Sequence, residues 1–310
     1  MTAATVSAAL AMSGLVPFEA KLLLAHVLDC DRAWLAAHRD APLTREQALA
    51  FDALARRRRE GEPVAYLTGR REFFGLDLEI TPDVLIPRPE TELLVELALT
   101  WLDKDAPARV LDLGCGSGAV TLAVASRRPR SAVVGADVSA AAIALARRNG
   151  ERLAIPNASF LQSDWFARVP SDRFALILAN PPYVAEEDAH LRRGDLRFEP
   201  AAALASGNDG LDAMRIIVAG APGYLAPGAA LALEHGHDQA AAVQALLRAS
   251  GLRDVASARD LAGIPRVTYG FVQGAKGAWS ANSQLRRNRK RRREVVLFRP
   301  GDQRGKDRRI

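Results

Sequence analysis

Apolar and polar positions change period along the chain, and each change marks an element. Through residues 1–72 the apolar positions recur at helical spacing: Ala8, Leu10, Leu15 and Val16, then Ala20, Leu23, Leu24 and Val27. Thr44 with Gln47 forms a capping box that opens a further helix, running through Leu54 into Arg56-Arg57-Arg58-Arg59. Residues 73–88 alternate instead. Phe74, Leu76, Leu78 and Ile80 share one face, Val84-Leu85-Ile86 follow, and Thr81-Pro82-Asp83 supplies the turn of a predicted hairpin. Residues 90–102 read as an amphipathic helix. From residue 108 to about 270, strand-length apolar runs alternate with helical patterns. Strands are expected at 110–113, 132–137, 158–161, 174–178 and 229–233, helices at 119–127, 139–148, 211–219 and 239–249, and an antiparallel hairpin at 255–260 and 265–269. That alternation implies a mostly parallel sheet with helices on both faces. Residues 186–210 are polar and irregular, hold His190, Arg192, Arg193 and Asp195, and read as a lid or a disordered loop.

Composition changes this picture at one end only. With 49% hydrophobic and 25% charged residues, the 310-residue chain is that of a globular protein of one or two domains. No apolar run is long enough to span a membrane, the start Met1-Thr2-Ala3 does not resemble a signal peptide, and two cysteines make no disulfide framework. A reducing cytoplasm fits. The net charge of +6 is unevenly placed. Residues 271–310 carry thirteen Lys and Arg against three Asp and Glu, a net of +10; the remaining residues carry 29 against 33, a net of −4. The basic stretch has no apolar pattern and is expected to be disordered, with weak electrostatic RNA binding as its possible use. The run at 56–59 is expected to be a solvated last helical turn or a contact for an acidic partner or RNA.

The candidate chemistry lies where strands end. Leu176-Ile177-Leu178-Ala179 runs into Asn180-Pro181-Pro182-Tyr183. The prolines cannot extend a ladder, so Asn180 is held at the carboxyl end of a central strand, where open α/β sheets bind ligands. The Asn180 side chain and the Pro181 carbonyl offer two adjacent acceptors for a planar NH2 group, and Tyr183 can cover its face. Val110-Leu111-Asp112-Leu113 leads into Gly114-Cys115-Gly116-Ser117-Gly118, a strand, a glycine turn and then a helix. Such a turn admits a nucleotide-like cofactor. Its Gly-x-Gly-x-Gly spacing weighs against a nicotinamide dinucleotide, and no Gly-Lys-Ser/Thr follows to make a phosphate loop. Asp137 ends the second strand, placed to accept from ribose hydroxyls. Cys115 needs only to be small there. The stretch Glu234-His235-Gly236-His237 lacks the further ligands of a zinc site, and no metal is expected.

Asp112-Leu113-Gly114-Cys115-Gly116-Ser117-Gly118, Asp137 and Asn180-Pro181-Pro182-Tyr183 together resemble an S-adenosylmethionine-dependent N-methyltransferase. Glu62-Pro63-Val64-Ala65-Tyr66-Leu67-Thr68-Gly69 and Val84-Leu85-Ile86-Pro87-Arg88-Pro89-Glu90-Thr91-Glu92 narrow the resemblance to the HemK/PrmC family of release factor glutamine methyltransferases, up to about Gly270. The resemblance implies a Rossmann-like class I methyltransferase domain with a seven-stranded, mostly parallel sheet and a terminal antiparallel hairpin, preceded by a small helical domain. Its layout here would be 1–72 helical, 73–106 hairpin and connecting helix, 107–270 catalytic and 271–310 tail. It implies S-adenosylmethionine as cofactor, held by Gly114, Cys115, Gly116, Ser117, Gly118, Asp137, Trp165 and Asn180, with Trp165 flanking the adenine. It implies Asn180, Pro181, Pro182 and Tyr183 as the substrate grip, with Asn180, Pro181 and Tyr183 catalytic. The implied partners are class 1 release factors, methylated on the glutamine of Gly-Gly-Gln and docked partly on the helical domain. Two other enzymatic readings share the grip: a ribosomal protein glutamine methyltransferase and a nucleic-acid amino methyltransferase. The negative charge of the body weighs against the latter. A non-enzymatic, RNA-associated protein acting through its tail is a further alternative.

Overall fold

The computed structural model describes residues 5–192 and 194–274. The basic stretch from 275 onward, Arg193 and the first four residues lie outside the described residues.

Five helices come first: α1 Val6–Met12, α2 Pro17–Leu28, α3 Arg32–Ala37, α4 Arg45–Arg59 and α5 Val64–Thr68. Their apolar faces meet in a core of their own, around Leu23, Leu24, Leu35 and Phe51. Thr44 and Gln47 do form the capping box, each side chain taking the other residue's N–H at 2.9 and 3.1 Å. Arg56, Arg57 and Arg59 at the end of α4 are exposed, and three of the four arginines also make contacts within the chain. Arg57 is bidentate to Glu62, Arg58 pairs with Glu19 and Asp195, and Arg59 reaches the Ser13 carbonyl at 2.6 Å.

The hairpin lies earlier than the alternation suggested. Strands β1 Arg70–Phe73 and β2 Leu76–Glu79 pair antiparallel around a turn at Phe74 and Gly75. The register puts Phe73 and Leu78 inward, and Phe74 takes a positive φ of 52° instead of continuing the strand. The stretch Thr81-Pro82-Asp83 therefore follows the hairpin and does not turn it. A single 3-10 turn, Pro89–Thr91, then leads into α6 Glu92–Trp101.

The remaining chain is doubly wound: β3 Arg109–Leu113, α7 Ala119–Arg127, β4 Ala132–Asp137, α8 Ala140–Arg152, β5 Ala158–Gln162, β6 Phe174–Ala179, α9 Asp212–Gly220, β7 Leu225–Glu234, α10 Ala240–Ala249, β8 Arg253–Arg259 and β9 Pro265–Phe271. Seven strands lie in the order β5-β4-β3-β6-β7-β9-β8, parallel except where β9 pairs with β7 and β8. Central strands β3 and β6 are buried on both faces because helices cover both; Leu111 and Ile177 are fully buried, and Asp112 is the one charged residue buried among them. Buried side chains form one cluster with α6 and α7 on one face and a second with α9 and α10 on the other. The strand order reverses between β3 and β6, so the carboxyl ends of β3, β4 and β6 open onto one crevice.

Residues 186–210 carry three short 3-10 helices, Ala189–Arg192, Gly194–Phe198 and Ala201–Ala203. Val184 bridges to Ala205, and the Glu186 N–H donates to Gly207 O at 3.0 Å, closing the segment at its base. No described helix is long and apolar enough to cross a membrane.

Candidate active site

The turn after β3 is a local consequence of its glycines. Gly114, Gly116 and Gly118 take φ values of 73°, 53° and 82°, a left-handed path that other residues adopt only at a cost. The path aims backbone N–H groups at the end of β4. Gly114 N and Cys115 N donate to Ala136 O at 2.8 and 3.0 Å, and Gly116 N donates to Asp137 Oδ2 at 2.9 Å. Asp137 Oδ1 takes Ser139 N at 2.9 Å, leaving further lone pairs on both oxygens. A Cβ on Gly116 would meet nothing within 4 Å, so the turn faces open space there.

That space is a cavity of about 300 Å³ at the crevice of the sheet. Gly114, Gly116, Asp137, Trp165, Asn180 and Pro182 line it from the strand ends. Val84 and Leu85 come from the stretch after the hairpin, and Pro200, Ala202 and Ala203 from the 186–210 segment. Trp165 holds φ at 43°, and its carbonyl accepts from Ser163 Oγ at 2.9 Å, which fixes the turn that carries the indole. A tryptophan kept in the left-handed region costs about 1–3 kcal/mol, so the surrounding turn over-determines its position.

Cys115, Ser117 and Gly118 do not line the cavity, although the cofactor was expected against them. Cys115 and Ser117 are buried, and a Cβ on Gly118 would lie 3.1 Å from Ala146 and Phe160. Burial, reinforced by the Asp112 and Asp137 charges, pushes the Cys115 thiol well above its ordinary range, so it is no nucleophile. Burial also raises the Asp112 carboxyl to about 6, against the Thr121 hydroxyl and N–H that bond it at 2.6 and 3.0 Å.

Asn180 follows directly on β6 and presents its two amide ends differently. Nδ2 donates to Thr91 Oγ1 at 3.1 Å, whereas Oδ1 is buried with no hydrogen-bond partner among the described residues. An unpaired buried acceptor costs about 1–3 kcal/mol, which a donor from outside the chain, water included, would offset. Pro181 is buried beside it, and Tyr183 packs against the second core cluster. Burial, with the Glu234 charge, pushes the Tyr183 phenol up to about 12, so the ring is neutral. The Tyr183 carbonyl accepts from Gln239 Nε2 at 3.0 Å, and Gly210 comes so close that a Cβ there would fall 2.2 Å from it.

Three residues escaped the sequence reading. Thr91 and Glu234, 4% and 1% exposed, stand behind Asn180. Burial pushes the Glu234 carboxyl up to about 7. Glu199 has no exposed side-chain surface and binds Ile86 N at 3.1 Å and the Arg88 guanidinium. Arg88 thus pairs with the 186–210 segment. The spacing of a capping 3-10 turn could have singled out Thr91; nothing local could have paired it with Asn180. His235 spends both ring nitrogens inside the protein, on Gly236 O at 2.7 Å and Thr268 Oγ1 at 2.8 Å. Among the described residues no cluster of three or more potential metal ligands occurs.

The chain matches the family models "Methyltransferase small domain" over residues 90–207 and "PrmC N-terminal domain" over residues 4–69. It is 54% identical over 264 residues to the release factor glutamine methyltransferase of Bordetella pertussis, a match that takes in 85% of this chain and 97% of that one. The chain belongs to the release factor glutamine methyltransferase family. The enzyme of the same description from Burkholderia pseudomallei is 52% identical over 277 residues, covering 87% of this chain and 97% of its own. A solved methyltransferase from Pyrococcus furiosus superposes with a TM-score of 0.50 at 19% identity, over 71% of this chain and 97% of the other, a likeness of fold. The doubly wound sheet with its terminal hairpin is accordingly a class I methyltransferase fold, and the chain is a methyltransferase.

Proposed function

We infer that this enzyme methylates the side-chain amide nitrogen of the glutamine in the Gly-Gly-Gln motif of class 1 release factors, with S-adenosylmethionine as donor, in the cytoplasm. One observation carries the site: the buried, unpartnered Asn180 Oδ1 at the end of β6, on the cavity of the glycine turn. The cavity's donor set fits the cofactor. Asp137 retains lone pairs for ribose hydroxyls, Trp165 offers an aromatic face for adenine, and the backbone at Gly114 and Gly116 leaves room for close approach. Bound S-adenosylmethionine supplies an electrophilic methyl on a sulfonium.

An amide nitrogen is a poor nucleophile because its lone pair is delocalised into the carbonyl. Asn180 Oδ1 and the Pro181 carbonyl accept its two N–H groups and so fix the plane of the substrate amide. Both acceptors carry partial negative charge that stabilises positive charge growing on that nitrogen. Tyr183, neutral, contributes a ring face to the developing cation. A nitrogen that has become cationic is acidic, so the proton leaves after transfer without a dedicated base. The 186–210 segment and the stretch at Val84 and Leu85 wall the cavity against water.

The test is mass spectrometry of release factor peptides after incubation with enzyme and isotopically labelled cofactor. A labelled methyl on the Gly-Gly-Gln glutamine is expected; label on ribosomal protein or nucleic acid alone overturns the reading. Asn180→Ala should slow single-turnover methylation by about 10²–10³, and Asn180→Asp, which retains an acceptor, should keep measurable activity. An alanine variant at near-normal rate removes Asn180 from the site.

A further inference from the structure

We propose that Gln239 is a positioning residue that holds the substrate grip, Asn180 to Tyr183, in register for methyl transfer. The inference rests on the reading of that stretch as the grip. Pro181 and Pro182 carry no N–H, so the grip cannot tie itself down there with backbone donors of its own. Its backbone is caught instead at the next carbonyl, that of Tyr183, by a half-buried side chain from the start of α10.

The Gln239 amide is fully used, and every partner is a backbone group whose chemistry is fixed. Oε1 accepts from Gly236 N at 2.8 Å, and Nε2 donates to Tyr183 O at 3.0 Å and to Asp209 O at 3.3 Å. A backbone N–H only donates and a carbonyl only accepts, so the amide has one orientation; turned over, it would set its NH2 against an N–H and its oxygen against two carbonyls. One side chain thereby joins the turn after β7, the grip after β6 and the far end of the 186–210 segment. The exits of β6 and β7 lie together because Ala179 is paired with Leu233 in parallel register. Gly210 makes room for the junction. Its φ is 75°, and a Cβ there would fall 2.2 Å from Tyr183 O and 2.8 Å from Gln239 Nε2. Beyond the junction Val184 N donates to Leu204 O at 2.9 Å, and Ser206 N to Val184 O at 2.9 Å. At the other end of the grip, Asn180 Nδ2 donates to Thr91 Oγ1 at 3.1 Å. The Pro181 carbonyl thus lies between two fixed points, and Gln239 supplies the second. The cofactor cavity is lined by Gly114, Gly116, Asp137 and Trp165, and neither Tyr183 nor Gln239 lines it. Loss of the junction should therefore disturb alignment of the substrate amide and spare the cofactor.

The experiment compares Gln239→Met, Gln239→Glu and Gln239→Lys in the full chain, with turnover on a release factor and S-adenosylmethionine affinity measured separately. Methionine fills the space without hydrogen bonds. Glutamate keeps an acceptor for Gly236 N and loses both donors. Lysine keeps a donor for Tyr183 O and gives up the Gly236 bond. A misplacement of about 1 Å costs up to about 10²-fold, so Gln239→Met and Gln239→Glu should each lower kcat about 10- to 100-fold, with cofactor affinity changed by no more than about threefold. Gln239→Lys should turn over faster than Gln239→Glu. Near-normal turnover in Gln239→Glu would assign the residue to the turn at Gly236 alone and overturn the proposal. Equal losses in turnover and cofactor affinity would mean general damage and overturn it too. Amide exchange at Val184 reads the junction without substrate. It should quicken about 10- to 100-fold in Gln239→Met and Gln239→Glu and less in Gln239→Lys. Wild-type exchange in Gln239→Met overturns the proposal even if turnover falls. A wild type that leaves release factor unmethylated while the exchange pattern holds would instead refute the substrate reading and keep the junction.

Discussion

Glu199→Ala should open the cofactor cavity without unfolding the sheet. Glu199 joins two of the cavity's walls. It is part of the segment that supplies Pro200, Ala202 and Ala203, and its carboxylate binds Ile86 N at 3.1 Å and Arg88, next to Val84 and Leu85. Alanine leaves the Ile86 N–H unpaired where the carboxylate was fully buried. Losing a hydrogen bond to a charged acceptor costs about 1.5–3 kcal/mol. Arg88 is 31% exposed, so water takes over much of its role and the ion pair adds at most about 1 kcal/mol. The joint is therefore weakened by about 2–4 kcal/mol. None of that touches the strand ladder, so the loss should appear as local release of residues 196–206. Apparent S-adenosylmethionine affinity then falls by the fraction of molecules left closed, up to about 30- to 1,000-fold if the closed state had no margin. Glu199→Gln, which keeps an acceptor for Ile86, should fall between. Calorimetry gives the affinity, and amide exchange over 196–206 gives the release. A folded Glu199→Ala with wild-type exchange and affinity would show that the two walls are held by packing alone.

Asp137→Ala should weaken cofactor binding by about 1.5–3 kcal/mol in calorimetry, and unchanged affinity in a folded variant would remove the ribose assignment. Asp112 gives a pH signature. Burial raises its carboxyl from 3.8 to about 6, so the folded state holds a proton that the unfolded state has lost between those values. Its contribution to stability is present below pH 3.8 and disappears as pH rises through about 6, at a cost near 3 kcal/mol from about 1.4 per unit. Asp112→Asn should therefore gain on wild type from pH 4 to 7 in denaturant titrations; a constant difference refutes the sign. Truncation after Gly274 should leave methyl transfer intact and remove any salt-sensitive RNA binding, since Val272 N still reaches Ala229 O at 2.8 Å. A folded but inactive truncation would place the basic stretch in the active unit.

The features legible in the sequence are those whose causes are local. The run into Asn180-Pro181-Pro182 announces a strand end because proline lacks the ladder donor, and β6 stops at Ala179. Gly114, Gly116 and Gly118 announce a left-handed turn, and all three adopt it. The capping box at Thr44 is written within four residues and forms as read. The hairpin was placed too late for an equally local reason. Alternation through Phe74, Leu76 and Leu78 looks like one uninterrupted face, whereas a turn at Phe74 and Gly75 shifts the register and brings Phe73 inward instead. Two consecutive strands with nearly the same alternation cannot be told from one long strand by period alone.

The remainder of the site was hidden because its polar groups satisfy one another across the chain. Thr91 lies 89 residues from Asn180, and Arg88 lies 111 from Glu199. Arg58 likewise finds Asp195 across 137 residues, tying the helical region to the segment over the cavity. Periodicity reports which face of an element is buried; it carries no information on which buried donor meets which buried acceptor. Those pairings follow from the strand order, because β7 lies beside β6 and so sets Glu234 beside Asn180. A carboxyl buried there is raised to about 7, whereas His235 spends both ring nitrogens on Gly236 and Thr268 inside the protein.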